Sequence, residues 1–161
     1  MVLQNAPDYE IEVQIAPEFA DLIDGARVAD VARAVLHFEG WPTGTALAVV
    51  ISGDPFIQAL NRTYRQTDRP TDVLAFAAQE GADFVVADEE AGRYLGDVLI
   101  SYDTALAQAA EQGHPVEEEL NLLIIHGCLH LLGYDDEEPE ARSRMWARQE
   151  EILRALANYL T

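Results

Sequence analysis

Runs of apolar residues along the chain predict four short strands. Residues 9–15, YEIEVQI, alternate polar and apolar side chains, which is typical of a strand with one buried face. The other three predicted strands are more continuously apolar and cover residues 46–52, 72–78 and 94–101. Residues 78–93 are polar and acidic and contain glycine, so we expect a loop or a hairpin connection there.

Helical periodicity predicts five helical segments: one after the first strand, one after the second and three after the fourth. They begin near Pro17 (with an interruption near Gly25), Asp54, Tyr102, Glu117 and Pro139. The helix that begins near Glu117 is apolar almost all round, which is typical of a central, buried helix.

The order of these elements predicts the α+β class. We expect a small mixed sheet of about four strands packed around one buried helix, with several helices surrounding it. At 161 residues the chain is long enough for one hydrophobic core and short for two, so residues 1–161 are expected to form a single domain.

Two histidines lie four residues apart on the predicted buried helix, in the segment HGCLHLLGYDD at 126–136. His126 and His130 therefore project from one helical face and can reach one metal ion. Gly133 allows the helix to end and the chain to turn back, so that Asp136 can follow as a third ligand. Two imidazoles and a carboxylate, with a fourth position left for water, are typical of a catalytic zinc site.

We therefore predict one Zn²⁺ ion per chain, in a metal-dependent hydrolase domain. The alternative is a pair of unconnected core histidines, each of which would need its own hydrogen-bond partners inside the core.

The composition limits the choice of partners and location. The chain has 29 acidic and 10 basic residues, a net charge of −19, and every basic residue is arginine. This charge opposes non-specific binding to nucleic acid, although a local arginine cluster can override it.

The single cysteine, Cys128, is expected to pack in the core and fits a reducing cytoplasm. No membrane span or secretory signal is predicted, so we expect a cytoplasmic protein.

Three segments resemble the YbeY family of bacterial endoribonucleases, also called rRNA maturation factors. They are HGCLHLLGYDD, NRTYRQTDRPTDVLAF at 61–76 and YLGDVLIS at 94–101, and the resemblance covers roughly residues 45–136. It implies a zinc-dependent endoribonuclease, specific for single strands, that acts in ribosomal RNA maturation and ribosome quality control. The implied partners are single-stranded regions of ribosomal RNA and the ribosome or its proteins, and the oligomeric state stays open.

The resemblance also implies roles for individual residues. Arg65 matches the functional arginine ahead of the PTDVL block, where a guanidinium can stabilise charge on a phosphate. Without the resemblance, a surface arginine paired with Asp68 or Asp72 would be the preferred interpretation. The family pattern usually ends GYDH, with histidine as the third zinc ligand. Asp136 fills that position here, which admits other divalent metals, and Asp135 is expected to orient a ligand or close the turn.

Two other function classes remain as alternatives. The spacing of the motif also matches the extended metzincin pattern, which indicates a metallopeptidase, although Gly127 stands where HExxH enzymes carry their general base. A non-catalytic ribosome-assembly adaptor with structural zinc would suit the acidic charge, but the open fourth position argues against it. For the nuclease, the sequence does not separate attack by water from attack by the RNA 2′-hydroxyl.

Overall fold

The computed structural model describes residues 8–65, 72–78 and 94–159. The elements follow the predicted order: β1 (Glu10–Ile15), α1 (Gly25–Phe38), β2 (Ala46–Ser52), α2 (Asp54–Arg65), β3 (Val73–Ala77), β4 (Tyr94–Ser101), α3 (Tyr102–Gln112), α4 (Val116–Leu131) and α5 (Pro139–Tyr159). The α+β class with a mixed sheet of four strands is confirmed. The connection expected at 78–93 lies, apart from Ala78, outside the described residues.

The first predicted helical segment is interrupted as expected. Pro17–Phe19 form a short 3₁₀-helix, and α1 begins at Gly25. Asp24 determines this start, because its carboxylate accepts hydrogen bonds from the backbone N–H groups of Ala26 (3.0 Å) and Arg27 (3.4 Å).

The sheet has the strand order β1-β2-β4-β3. β1 pairs in parallel with β2, β2 pairs in parallel with β4, and β3 runs antiparallel to β4. Side chains of a strand alternate between the two faces of a sheet. Val98 and Ile100 accordingly join the main core with α1 and α4, whereas Leu99 packs with Ile57 of α2 and Leu74 of β3 on the opposite face.

α4 is the central helix, as predicted. It contacts α1, α3 and α5 as well as β3 and β4, and most of its residues are buried. Cys128 is fully buried on this helix, where desolvation raises the pKa of its thiol to about 12, so it packs as an uncharged core residue. Although α4 is largely apolar, no helix in the described ranges is long and apolar enough to cross a membrane.

Gly127 allows α4 to lie very close to the sheet. A Cβ atom added at this position would lie 2.4 Å from Cγ1 of Val98 on β4 and 3.1 Å from Cγ2 of Val73 on β3. Real side chains do not tolerate such a distance, so the close approach of helix and sheet requires glycine here.

We predict that Gly127→Ala destabilises the fold by about 1–2 kcal/mol, because overpacking outweighs the better helix propensity of alanine. Denaturant unfolding measures the change. Gly25→Ala is the matched control, since a Cβ there would meet Ile15 at an ordinary 3.6 Å, and its effect should stay within about 0.5 kcal/mol. Adding Val98→Ala should reduce the cost of the Gly127 substitution; an unchanged cost would contradict the proposed clash.

Candidate metal centre

The last turns of α4 bring the two predicted histidines together. His126 and His130 lie one helical turn apart, and their Nε2 atoms are 3.2 Å from each other. Their side chains are 17% and 28% exposed, so both rings are largely buried and yet reach solvent at one edge.

The chain reverses directly after α4 through a glycine. Gly133 has a φ of 102°, and its N–H donates to the carbonyl of His130 (3.1 Å), while the N–H of Tyr134 donates to the carbonyl of Leu129 (3.0 Å). This pair of hydrogen bonds is a Schellman motif, the helix ending that the glycine predicted. The turn places Oδ2 of Asp136 3.6 Å from Nε2 of His126 and 3.5 Å from Nε2 of His130.

These three side chains have the spacing that a divalent ion requires. Two ligand atoms bound tetrahedrally to zinc lie about 3.3 Å apart. The three separations here are 3.2, 3.5 and 3.6 Å. Nitrogen and carboxylate oxygen are also donor types that zinc accepts. The donor set therefore fits a divalent ion, and the partial exposure of all three residues leaves room for a further ligand.

A residue that the sequence analysis missed contacts the site from α5. Oε1 of Gln149 lies 2.9 Å from Nδ1 of His126, and Gln149 is only 3% exposed. A signal was present in the sequence: the buried positions of α5 recur at helical spacing, and Gln149 is the polar one among those described. They are Met145, Gln149, Ile152 and Leu156.

Further polar contacts hold the turn that carries Asp136. The hydroxyl of Tyr134 donates to Oε1 of Glu39 at the end of α1 (2.7 Å), and Arg148 of α5 pairs with the other carboxylate oxygen of Glu39. Burial and the hydrogen bond to Glu39 raise the pKa of Tyr134, which keeps the phenol protonated as a donor. Arg142 donates from Nε to the backbone carbonyl of Asp136 (2.9 Å).

The three candidate ligands border a cavity of about 520 Å³ between the edge strand β3 and α4. Four carboxylates are among its lining residues: Asp72, Asp135, Asp136 and Glu137. The described lining contains no arginine. An anionic substrate therefore needs positive charge from a bound metal ion, from side chains outside the described lining, or from both.

The structure describes the contacts of only some of the other residues singled out in the sequence. Arg65 is the last residue of α2, and its side chain lies outside the described part of the structure, so its catalytic role stays a prediction. Asp72, its alternative ion-pair partner, accepts hydrogen bonds from Val73 N–H (2.8 Å) and Gln108 Nε2 (3.3 Å). Asp68 lies outside the described residues.

Asp135 is exposed, and its carboxylate accepts a hydrogen bond from the N–H of Glu137 (3.0 Å), which closes the turn.

The packing at Gly127 bears on the metallopeptidase alternative. HExxH enzymes carry a glutamate base at this position of the motif. Here even a Cβ atom would lie 2.4 Å from Val98, so a glutamate would push α4 away from β4. This position cannot supply a general base in the present fold.

The fold and the donor set define an α+β protein whose candidate metal centre is open to solvent. The family model described as Endoribonuclease YbeY matches residues 14–157. The endoribonuclease YbeY of Chloroflexus aurantiacus is 47% identical over 151 residues, which cover 92% of this chain and 96% of the relative. That of Roseiflexus sp. is 43% identical over 147 residues, 91% of this chain and 92% of the relative. The chain therefore belongs to the endoribonuclease YbeY family, and the predicted resemblance is confirmed.

A solved structure agrees with the fold. The solution structure of TM1509 from Thermotoga maritima superimposes with a TM-score of 0.61 at 24% identity, covering 91% of this chain and 88% of that one.

We predict that Glu39→Ala destabilises the metal-free protein by about 2 kcal/mol, because Tyr134 loses its acceptor and Arg148 loses one of its three acceptors. The Glu39 side chain is only 10% exposed, so water replaces it poorly. Urea unfolding in the presence of a chelator measures the loss. Glu150→Ala is the matched control: its pair with Arg154 is exposed, at 65% and 77%, and should contribute less than about 0.5 kcal/mol. Equal losses in the two variants would contradict the anchoring role of Glu39.

Proposed function

We propose that this chain is a zinc-dependent endoribonuclease that cleaves single-stranded regions of RNA. Its proposed setting is the cytoplasm, in ribosomal RNA maturation and ribosome quality control, with residues 1–161 working as one hydrolase domain in contact with the ribosome. The observation that carries the proposal is the solvent-open group of His126, His130 and Asp136 in a member of an endoribonuclease family.

The donor set indicates which residues would hold the metal ion and what chemistry the ion would supply. His126, His130 and Asp136 would hold the ion. A bound zinc ion supplies two kinds of chemistry: it lowers the pKa of a bound water towards about 7, and it polarises a phosphate oxygen. The cavity of about 520 Å³ beside these residues falls in the size range of small-molecule sites, so it can take a nucleotide and its phosphate.

Arg65 is proposed to supply positive charge from the chain itself. A guanidinium binds two phosphate oxygens at once and keeps its charge at any physiological pH. In a cavity lined by carboxylates, such a donor would offset repulsion of the scissile phosphate and stabilise the charge that develops during cleavage. α2 ends at Arg65, seven positions before Asp72, which lines the cavity.

Analysis of the cleaved ends identifies the nucleophile. Attack by the 2′-hydroxyl on the adjacent phosphorus expels the 5′-oxygen and leaves a 2′,3′-cyclic phosphate and a 5′-hydroxyl. Attack by water leaves a linear phosphate on one end and a hydroxyl on the other. A single-stranded RNA oligonucleotide labelled at each end distinguishes the two routes. A protein that binds zinc and cleaves no single-stranded RNA would favour the adaptor alternative, which the charge of −19 supports.

We predict that the protein takes up about one zinc ion per chain and that Asp136→Ala weakens zinc binding markedly. Asp136→His should retain or tighten it, because imidazole is a good zinc ligand. Elemental analysis and competition with a chelator measure both. Asp135→Ala is the matched control, since Asp135 is exposed and contacts the Glu137 N–H. Absence of uptake after zinc addition, or a larger loss in the Asp135 variant, would contradict the ligand assignment.

We predict that Arg65→Ala lowers the rate of RNA cleavage by about 10² or more, with zinc content and thermal stability near wild type. Arg154→Ala is the control, because Arg154 is 77% exposed on α5 and pairs with Glu150. Normal cleavage by the Arg65 variant would indicate that Arg65 only forms a surface ion pair, and an unfolded variant would indicate a structural role.

The salt dependence of RNA binding should correspond to only about two or three phosphate contacts.

A further inference from the structure

Gln149 contacts the His126 ring at Nδ1 and not at the Nε2 atom that lies beside His130. Its Oε1 atom lies 2.9 Å from Nδ1 of His126. An amide oxygen can only accept a hydrogen bond, so this contact is a hydrogen bond when Nδ1 carries the proton. In a neutral ring this leaves the lone pair on Nε2, the atom that lies 3.2 Å from His130 and 3.6 Å from Asp136.

The burial of Gln149 favours its hydrogen bond with His126 over other arrangements of the two side chains. Gln149 is 3% exposed and lies between Met145 and Ile152 on the inner face of α5, both of which are fully buried. A buried amide without a partner loses its hydrogen bonds to water without replacement, so the contact to His126 is strongly favoured over rotation of either side chain. Among the described residues, the polar contacts of the His130 ring are with His126 and Asp136, so Gln149 is the outer support that the histidine pair receives.

We propose that Gln149 is a positioning residue of the metal centre, which holds His126 as the Nδ1–H tautomer and aims its Nε2 lone pair at the ion. This inference rests on the proposed metal centre and adds an outer residue to it. Partners of this kind fix the ring orientation of ligating histidines, and their removal commonly lowers metal affinity 10- to 100-fold.

The neutral amide has a chemical consequence. A carboxylate at position 149 would accept the same hydrogen bond and make the imidazole a stronger donor to the ion. It would also add negative charge next to the His126 ring. Gln149→Glu should therefore keep the orientation of His126 and bind zinc as tightly as wild type or more tightly, whereas Gln149→Leu removes the acceptor.

The experiment measures zinc affinity by competition with a chromophoric chelator for wild type, Gln149→Leu and Gln149→Glu. We expect a 10- to 100-fold loss for the leucine variant and no loss for the glutamate variant. Asn121→Leu is the matched control: Asn121 is also a buried amide and lies on α4, but it lines a cavity with Arg27 and Leu156 and neither site histidine. Its zinc affinity should stay at the wild-type value. Thermal unfolding in chelator reports the fold of each variant.

A second readout needs neither zinc nor activity. Nitrogen-15 NMR of the histidine rings in metal-free wild type should show His126 as the Nδ1–H tautomer, and Gln149→Leu should shift it towards Nε2–H. An Nε2–H tautomer in wild type overturns the proposal, even where the leucine variant fails to fold. Unchanged zinc affinity in folded Gln149→Leu, or an equal loss in Asn121→Leu, also overturns it. Wild type that binds no zinc, with the Nδ1–H tautomer present, instead overturns the proposed metal centre.

Discussion

The contact between Gly127 and Val98 is the constraint on which the site depends. Because position 127 has no side chain, α4 lies directly on β4 and on the edge strand β3. The neighbouring His126 and the next turn's His130 then face the cavity at that edge of the sheet. A larger residue at 127 would separate helix and sheet, and it would change the fold and the cavity together.

α5 connects the stability of the fold with the geometry of the site. Its apolar face completes the core through Met145 and Ile152, while Gln149 on the same face contacts His126. Arg142 and Arg148 hold the backbone of Asp136 and the carboxylate of Glu39. The candidate ligands therefore keep their spacing because a helix that packs the core also binds their side chains and backbone. Such outer contacts reduce the reorganisation that metal binding would otherwise require.

The negative charge of this protein limits how it can bind RNA. The chain carries a net charge of −19, and carboxylates line the cavity beside the histidines. The net charge therefore opposes long-range attraction of RNA, in contrast to basic nucleic-acid-binding proteins. In the proposed function, short-range contacts with the metal ion and with Arg65 would offset this repulsion. Such contacts would suit the proposed single-stranded substrate, whose bases are accessible, better than the regular backbone of a duplex.

Local sequence patterns determined the order of the strands and helices, the pairing of His126 with His130 and the glycine that ends α4. These features depend on residues within a few positions of one another, where helical and strand periodicity apply directly. The same local spacing predicted Asp136 as the third candidate ligand, and the family resemblance added Arg65 as a candidate catalytic residue. Only the tertiary structure revealed Gln149, 23 residues from His126, and the pair of Arg148 with Glu39, 109 residues apart. Only the packed fold explained why position 127 must be glycine. Such contacts depend on how helices pack against each other and on the sheet, and no local pattern specifies which distant side chain will complete the hydrogen bonds of a buried group.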